Sequence, residues 1–165
     1  KVSDGQEKIA ETIPDRRSEG LPEQGFVFCS FCNTPKITPD VFDVWMRLLQ
    51  AVEGSVLWLR HDNHLVSANL RKQAELRGVR GERLVFAPRV DLSDHLARHR
   101  LADLFLDTWS YNAGATGSDA LWAGVPLLTL RGKAFAGRVG AGLLQAVGME
   151  EMVMETEIVM RKMPN

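Results

Sequence analysis

Cysteine is scarce in this chain: there are two, Cys29 and Cys32, and both sit on one apolar segment. Two such thiols cannot supply the framework of a disulfide-stapled fold. Charge of one sign is lacking as well, because 20 basic and 21 acidic residues leave a formal net charge of -1. That balance argues against a protein that grips nucleic acid through bulk charge. Uninterrupted apolar runs reach only four or five residues, far below the ~20 needed to cross a bilayer. Lys1 to Gly20 are polar and charged with no apolar core, so nothing there reads as a secretory signal. A Walker A loop is missing, as are a Gly-x-Ser-x-Gly elbow and an HExxH pair. P-loop NTPases, elbow hydrolases and zincins lose their anchors accordingly. The expectation is a cytoplasmic protein, or a piece of one, that starts at Lys1 rather than Met.

What remains is ordinary globular material: 165 residues, 45% hydrophobic and 25% charged, enough for one real core. Residues 1–24 carry Pro14, Pro22, Gly5 and Gly20 among many charges and read as a linker, with a short helix at Glu7–Thr12. The pattern changes at Phe26-Val27-Phe28-Cys29-Ser30-Phe31, an apolar run suited to a buried strand. Thr38 and Pro39 then look like an N-cap and a first helical residue. Val41, Val44, Trp45, Leu48, Leu49 and Val52 form one helical stripe, which Gly54 stops.

The alternation repeats: strand Ser55–Leu59, helix Leu65–Arg77, strand Leu84–Ala87, a helix capped by Asp91 or Ser93 through Arg100, and strands Leu104–Leu106 and Leu127–Leu130. Helices near Ser118–Ala123 and Phe135–Val147 follow the last two strands. Strands apolar on both faces, joined by crossover-length connections, predict a parallel sheet covered by helices on both sides, a Rossmann-like three-layer α/β fold. The tail, Glu150–Asn165, holds four methionines and no clear periodic face.

Ligands of such a sheet bind at the carboxyl ends of its strands. The candidate loops are Cys32–Lys36, Arg60–His64, Arg89–Ser93 and Thr108–Gly117. In the last, small residues run into Ser118, so backbone amides can meet an anion at a helix start. Thr116 adds a hydroxyl, and Asp119 can accept from sugar hydroxyls. A plain strand-to-helix turn explains the same small residues equally well. It is not a dinucleotide fingerprint, since glycine is absent after the first strand. Cys29-x-x-Cys32 inside a buried strand reads as two core thiols before it reads as a redox or zinc half-site. Histidines 61, 64, 95 and 99 include two helical pairs without a third ligand, and read as exposed loop or helix residues; no metal is expected.

Several stretches together resemble the O-linked N-acetylglucosamine transferase and SPINDLY-like catalytic region. They are Cys29-x-Phe31-x-x-x-x-Lys36-Ile37-x-Pro39, Arg83-Leu84-Val85-Phe86-x-Pro88, His95-Leu96-x-Arg98, Leu101–Thr108 and Thr116-Gly117-x-Asp119-x-Leu121-Trp122-Ala123-Gly124-x-Pro126. The resemblance covers about residues 21–153. It implies a GT-B glycosyltransferase, of which this chain looks like the C-terminal lobe. Residues 1–24 would then link from an N-terminal lobe that is missing, residues 25–153 would hold the nucleotide sugar, and 154–165 would be a tail.

The resemblance further implies an inverting, metal-independent transfer of N-acetylglucosamine from UDP-GlcNAc to Ser or Thr of proteins. No cofactor beyond that donor, no nucleic acid and no membrane is implied, and tetratricopeptide repeats usually present the protein acceptor. Lys36 matches the lysine that neutralises the departing diphosphate. Asn33 matches an amide residue near the phosphates, and Val90 a position whose backbone reads the base. His95 and Arg98 lie on the helix that closes over the nucleotide, although a structural role for Val90 and Arg98 stands beside this. Thr116 and Gly117 match the phosphate-binding loop, and Asp119 the carboxylate that accepts from the ribose. Three departures from the family stand out: Gly114-Ala115 replace His-Thr, Leu92 replaces a lysine, and Pro35 replaces a tyrosine. Two alternatives therefore stay open, a degenerate lobe that binds nucleotide or protein without catalysis, and a transferase with another donor such as GDP-fucose.

Overall fold

The computed structural model describes residues 9–106, 108, 119–120, 123–125 and 127–128. Five parallel strands form one sheet: β1 (Val27–Ser30), β2 (Val56–Arg60), β3 (Leu84–Ala87), β4 (Leu104–Leu106) and β5 (Leu127–Leu128). Their order is β3-β2-β1-β4-β5, so the winding direction reverses between β1 and β4. The described helices are α1 (Pro39–Ala51), α2 (His64–Leu76) and α3 (Leu92–Arg98). Of the expected helix at Ser118–Ala123, Asp119 and Ala120 are helical. The expected helix at Phe135–Val147 and the methionine tail lie outside the described residues.

Helix α1 forms for the reasons legible in its residues. Thr38 Oγ1 accepts from the Val41 amide at 3.4 Å, and Pro39 occupies the first turn. Its buried face is Val41, Phe42, Trp45, Met46, Leu48 and Leu49, so Phe42 and Met46 join the expected stripe while Val44 is only half-buried. Helix α2 starts one residue early because Asn63 caps it, its Oδ1 accepting from the Val66 amide at 2.9 Å. Helix α3 stops at Arg98 and tightens into a 3-10 turn over His99–Leu101. Asp91 stands at its N-cap position without a side-chain bond, and no helix forms over Ile9–Thr12, the described part of the one expected at Glu7–Thr12.

Alternate residues of each strand feed opposite faces of the sheet. Val27, Cys29, Trp58 and Phe105 pack with Leu21, Ala102, Ala120 and Val125 on one side. Phe28, Leu57, Leu59 and Leu106 pack with α1 and α2 on the other. Trp45 and Trp58 are both fully buried, one on each face. An aromatic side chain of this kind removes roughly 150–250 Å² from water, worth about 4–6 kcal/mol. The CxxC pair is core, as its apolar setting suggests. Cys29 and Cys32 are buried in opposite clusters and form no disulfide. Burial, with a smaller effect of Asp103, pushes the Cys29 thiol far up, leaving it unreactive.

Residues 9–25 run along the lobe rather than away from it. Arg16 holds them, with Nη1 donating to Gly25 O at 2.7 Å and Nη2 to Leu101 O at 3.3 Å and Asp103 Oδ2 at 3.1 Å. Gly25 is required where this arm meets the turn after α1. Its φ is +119°, and a Cβ there would stand 2.6 Å from Gly54 O.

Candidate nucleotide site

A cleft of about 680 Å³ opens at the carboxyl ends of β2 and β3. Arg60, His61 and Asp62 line it from the end of β2. Arg89, Val90 and Leu92 line it from the loop after β3, and His95 and Arg98 from α3. Three arginines face one carboxylate there, and that carboxylate is already paired: Arg60 Nη2 lies 2.8 Å from Asp62 Oδ1. The surplus is positive. Val90 and Leu92 are 40% and 43% exposed, an apolar lip beside the cations. Such a lining offers hydrocarbon to a flat ring and positive charge to an anion. A shallower groove of about 730 Å³ runs beside α2 along β3 and past Glu19, with Glu75, Glu82, Arg71 and Phe86 in its wall. Acidic residues outnumber arginines in that groove, and it touches the carboxyl edge only at His61 and His64, running from there along the side of β3.

Arg98 is 3% exposed, which demands partners for its guanidinium. Nη1 donates to Pro88 O at 2.7 Å and Nε to His95 Nδ1 at 3.0 Å. Its Cζ also lies 5.6 Å from the centre of the Phe31 ring. The expectation that the histidines are exposed holds for His64 alone, and His61 is half-buried beside Ser67. His99 is fully buried and His95 mostly so, packed edge-on against Phe31 with ring centres at 5.0 and 4.9 Å. His99 Nδ1 donates to His95 O at 2.6 Å, and its Nε2 has no partner among the described residues. Burial lowers His95 to about 3, helped by His99, Arg98 and Arg60. Burial also lowers His99 to about 4, although the bond to His95 O opposes it. Both rings are neutral at physiological pH. An i, i+4 spacing on a short helix places two residues on one face, and here that face is inward.

Asn33 and Lys36 lie on a 3-10 turn, Thr34–Lys36, directly after β1. The Lys36 amide bonds Asn33 O and the Ile37 amide bonds Thr34 O, both at 2.9 Å. Asn33 is exposed and Lys36 half-buried. The turn borders the cleft, because Thr34 Oγ1 donates to Asp62 Oδ2. Lys36, Asn33, Val90, His95 and Arg98 therefore share the carboxyl edge of the sheet. Asp119 is half-buried and lies in a helical turn, its carbonyl accepting from the Ala123 amide at 3.0 Å. Thr116 and Gly117, with the altered Gly114-Ala115, lie outside the described residues. Thr108, at the end of β4, is fully buried.

A parallel sheet wound in the order β3-β2-β1-β4-β5, with a cationic cleft at its carboxyl edge, is the architecture in which α/β folds bind nucleotides. The chain belongs to Glycosyl transferase family 41, which it matches over residues 1–162. It is 35% identical over 144 residues, 87% of its length, to the UDP-N-acetylglucosamine--peptide N-acetylglucosaminyltransferase of Caenorhabditis elegans. It is 37% identical over 136 residues, 82% of its length, to SEC of Arabidopsis thaliana. Among solved structures it resembles the O-GlcNAc transferase of Thermobaculum terrenum, with a TM-score of 0.77 and 35% identity over 82% of this chain. The fold alone extends to Anabaena HepE, at a TM-score of 0.54 and 13% identity over 90% of this chain and 46% of that one. The chain spans 12% and 14% of the two curated relatives and 27% of the solved transferase.

Proposed function

We propose that this chain is the donor-binding lobe of a GT-B protein O-GlcNAc transferase, holding UDP-GlcNAc in the cleft at the carboxyl edge of the sheet. The observation that carries this reading is the cationic cleft beside the Lys36 turn, in a chain whose relatives are named for that transfer. The acceptor Ser or Thr oxygen bonds the anomeric carbon as the bond to the diphosphate breaks on the opposite face, which inverts the centre. The hydroxyl proton passes to a base, and the electron pair leaves with UDP. Charge grows on the diphosphate during that step, and the Lys36 ammonium stabilises it without a metal. Asn33 lies beside the phosphates, with Thr116 and Gly117 supplying loop donors. The Val90 backbone reads the base, the helix that carries His95 and Arg98 closes over the nucleotide, and Asp119 accepts from the ribose. Residues 1–24 lead from a first lobe, and residues 154–165 form a tail. Tetratricopeptide repeats present the acceptor in the cytoplasm.

A second reading is favoured by one observation, the exposed Leu92 at the cleft lip where the family carries lysine. In it the lobe binds nucleotide without turning over donor. Calorimetric titration with UDP, GDP and UDP-GlcNAc, joined to a transfer assay on the full-length enzyme, tests both readings. The transferase reading expects UDP to bind more tightly than GDP and sugar to reach Ser or Thr. UDP binding without transfer selects the second reading, and a preference for GDP contradicts the donor assignment.

A further inference from the structure

The loop after β2, Arg60–His64, carries charged residues that the nucleotide reading leaves unused. Both oxygens of Asp62 are committed to protein groups. Oδ1 accepts from Arg60 Nε at 2.9 Å, and Arg60 Nη2 stands 2.8 Å from the same atom. Oδ2 accepts from Thr34 Oγ1. Asp62 lines the cleft with both oxygens already engaged by protein groups, so the chemistry those bonds show is to hold. What it holds is the first residue of the Thr34–Lys36 turn. That turn is one 3-10 loop with no side-chain cap from Asn33, and because the hydrogen bonds of such a turn are poorly aligned an outside tether adds to what holds it.

We propose that Asp62, clamped by Arg60, is a positioning residue that fixes the Thr34–Lys36 turn and so places the Lys36 ammonium for a diphosphate. The inference rests on the donor-site reading of Lys36. Asp62 acts through Thr34, and its own charge is cancelled by Arg60. The Thr34 bond, with Arg60 adding to it, holds the Asp62 carboxyl below the usual carboxylate range, so the clamp is ionised at neutral pH. A tether between the loops after β1 and β2 joins neighbouring strands, and a lysine on a free turn would lose part of its orientation each time the ligand leaves.

Thr34→Val isolates this bond, because it removes the hydroxyl at nearly constant shape and charge. The readout is UDP against uridine affinity in the full chain, since only UDP carries the charge that Lys36 meets. Thr34→Val should weaken UDP binding about three- to tenfold, the range of one ordinary hydrogen bond because the effect on the ligand is indirect, and leave uridine unchanged. Thr34→Ser should restore UDP binding. In an Asp62→Ala background, Thr34→Val should cost nothing further, because the partner is already gone. Equal loss for UDP and uridine, or full additivity of the two substitutions, overturns the positioning role. Lys36→Ala separates this failure from failure of the donor site. If Lys36→Ala weakens UDP and Thr34→Val does not, the clamp is wrong and the site stands. If Lys36→Ala leaves UDP binding intact, the site reading falls and the clamp proposal with it.

Discussion

Arg98 Nε donates to His95 Nδ1 across 3.0 Å, and this fixes the tautomer of the histidine. A guanidinium has no acceptor, so His95 Nδ1 must carry the lone pair and Nε2 the proton. The same guanidinium donates to Pro88 O at 2.7 Å, tying α3 to the loop that follows β3. One buried cation therefore sets both the shape of the cleft and the donor state of a ring in its wall.

Arg98→Lys should break this arrangement without removing the charge. An ammonium cannot supply two donors in a fixed fork, so either Pro88 O or His95 Nδ1 is left wanting. The expected cost is about 1–3 kcal/mol, seen as a drop in thermal midpoint of roughly 2–4 °C per kcal/mol. Nucleoside affinity should fall with it. An unchanged midpoint would show that the loop after β3 is held by other contacts.

Acid should destabilise the fold through His95 and His99. Both are lowered from 6.5, to about 3 and about 4, mainly by burial. The unfolded chain takes up protons below about 6.5 while the folded rings refuse them, so stability is complete above that value and is lost as pH falls toward the folded values. Each pH unit in the window costs about 1.4 kcal/mol per histidine. Urea midpoints at about pH 7.5 and pH 5 should differ clearly, and His99→Leu should flatten the difference. Asp62, held below the usual carboxylate value, loses its own contribution as pH falls from that value toward the folded one, which is below the pH 5 measurement.

Asp103→Ala should cost more than an exposed carboxylate normally does. Asp103 Oδ2 accepts from the Val27 amide at 2.8 Å and from Arg16 at 3.1 Å. Val27 is fully buried at the start of β1, so the substitution strands its amide at about 1–3 kcal/mol. Arg16→Ala leaves that amide satisfied and should cost less. Chemical denaturation of the two variants measures the gap, and equal losses would place the energy in the ion pair instead.

The parallel sheet could be anticipated because five apolar segments alternate with helical stripes at crossover lengths, whereas the strand order comes from the fold alone. Thr38-Pro39 and Gly54 were readable for the same local reason, since caps and stops are written in neighbouring residues. Asn63 was not picked out as a cap, although an Asn directly before an apolar-periodic run is the usual signal. The burial of His95 and His99 could not be read, because it depends on Phe31, more than 60 residues away. The same holds for Asp62. Its loop was marked as a ligand-bearing one, but its partner Thr34 belongs to a different strand end. Asp103 lay inside a recognisable motif, and only the fold showed that it ties β1 down.

Lys36→Ala should lower turnover in the full-length enzyme far more than it weakens donor binding. The diphosphate is already anionic in the bound donor and gains further negative charge as the sugar leaves. The ammonium is therefore worth more in the transition state and with free UDP than with the donor. Steady-state kinetics separates the cases: a raised KM with unchanged kcat would mean uniform binding.

Hydrogen exchange of the chain with and without saturating UDP tests the central claim most directly, because it locates the ligand as well as detecting it. Amides of residues 31–34, 36–37 and 89–95, at the carboxyl edge, should gain protection, while those along Arg71 to Glu82 should not. Protection confined to the β3 edge groove, or a flat profile with the chain folded, would contradict a donor site in this cleft.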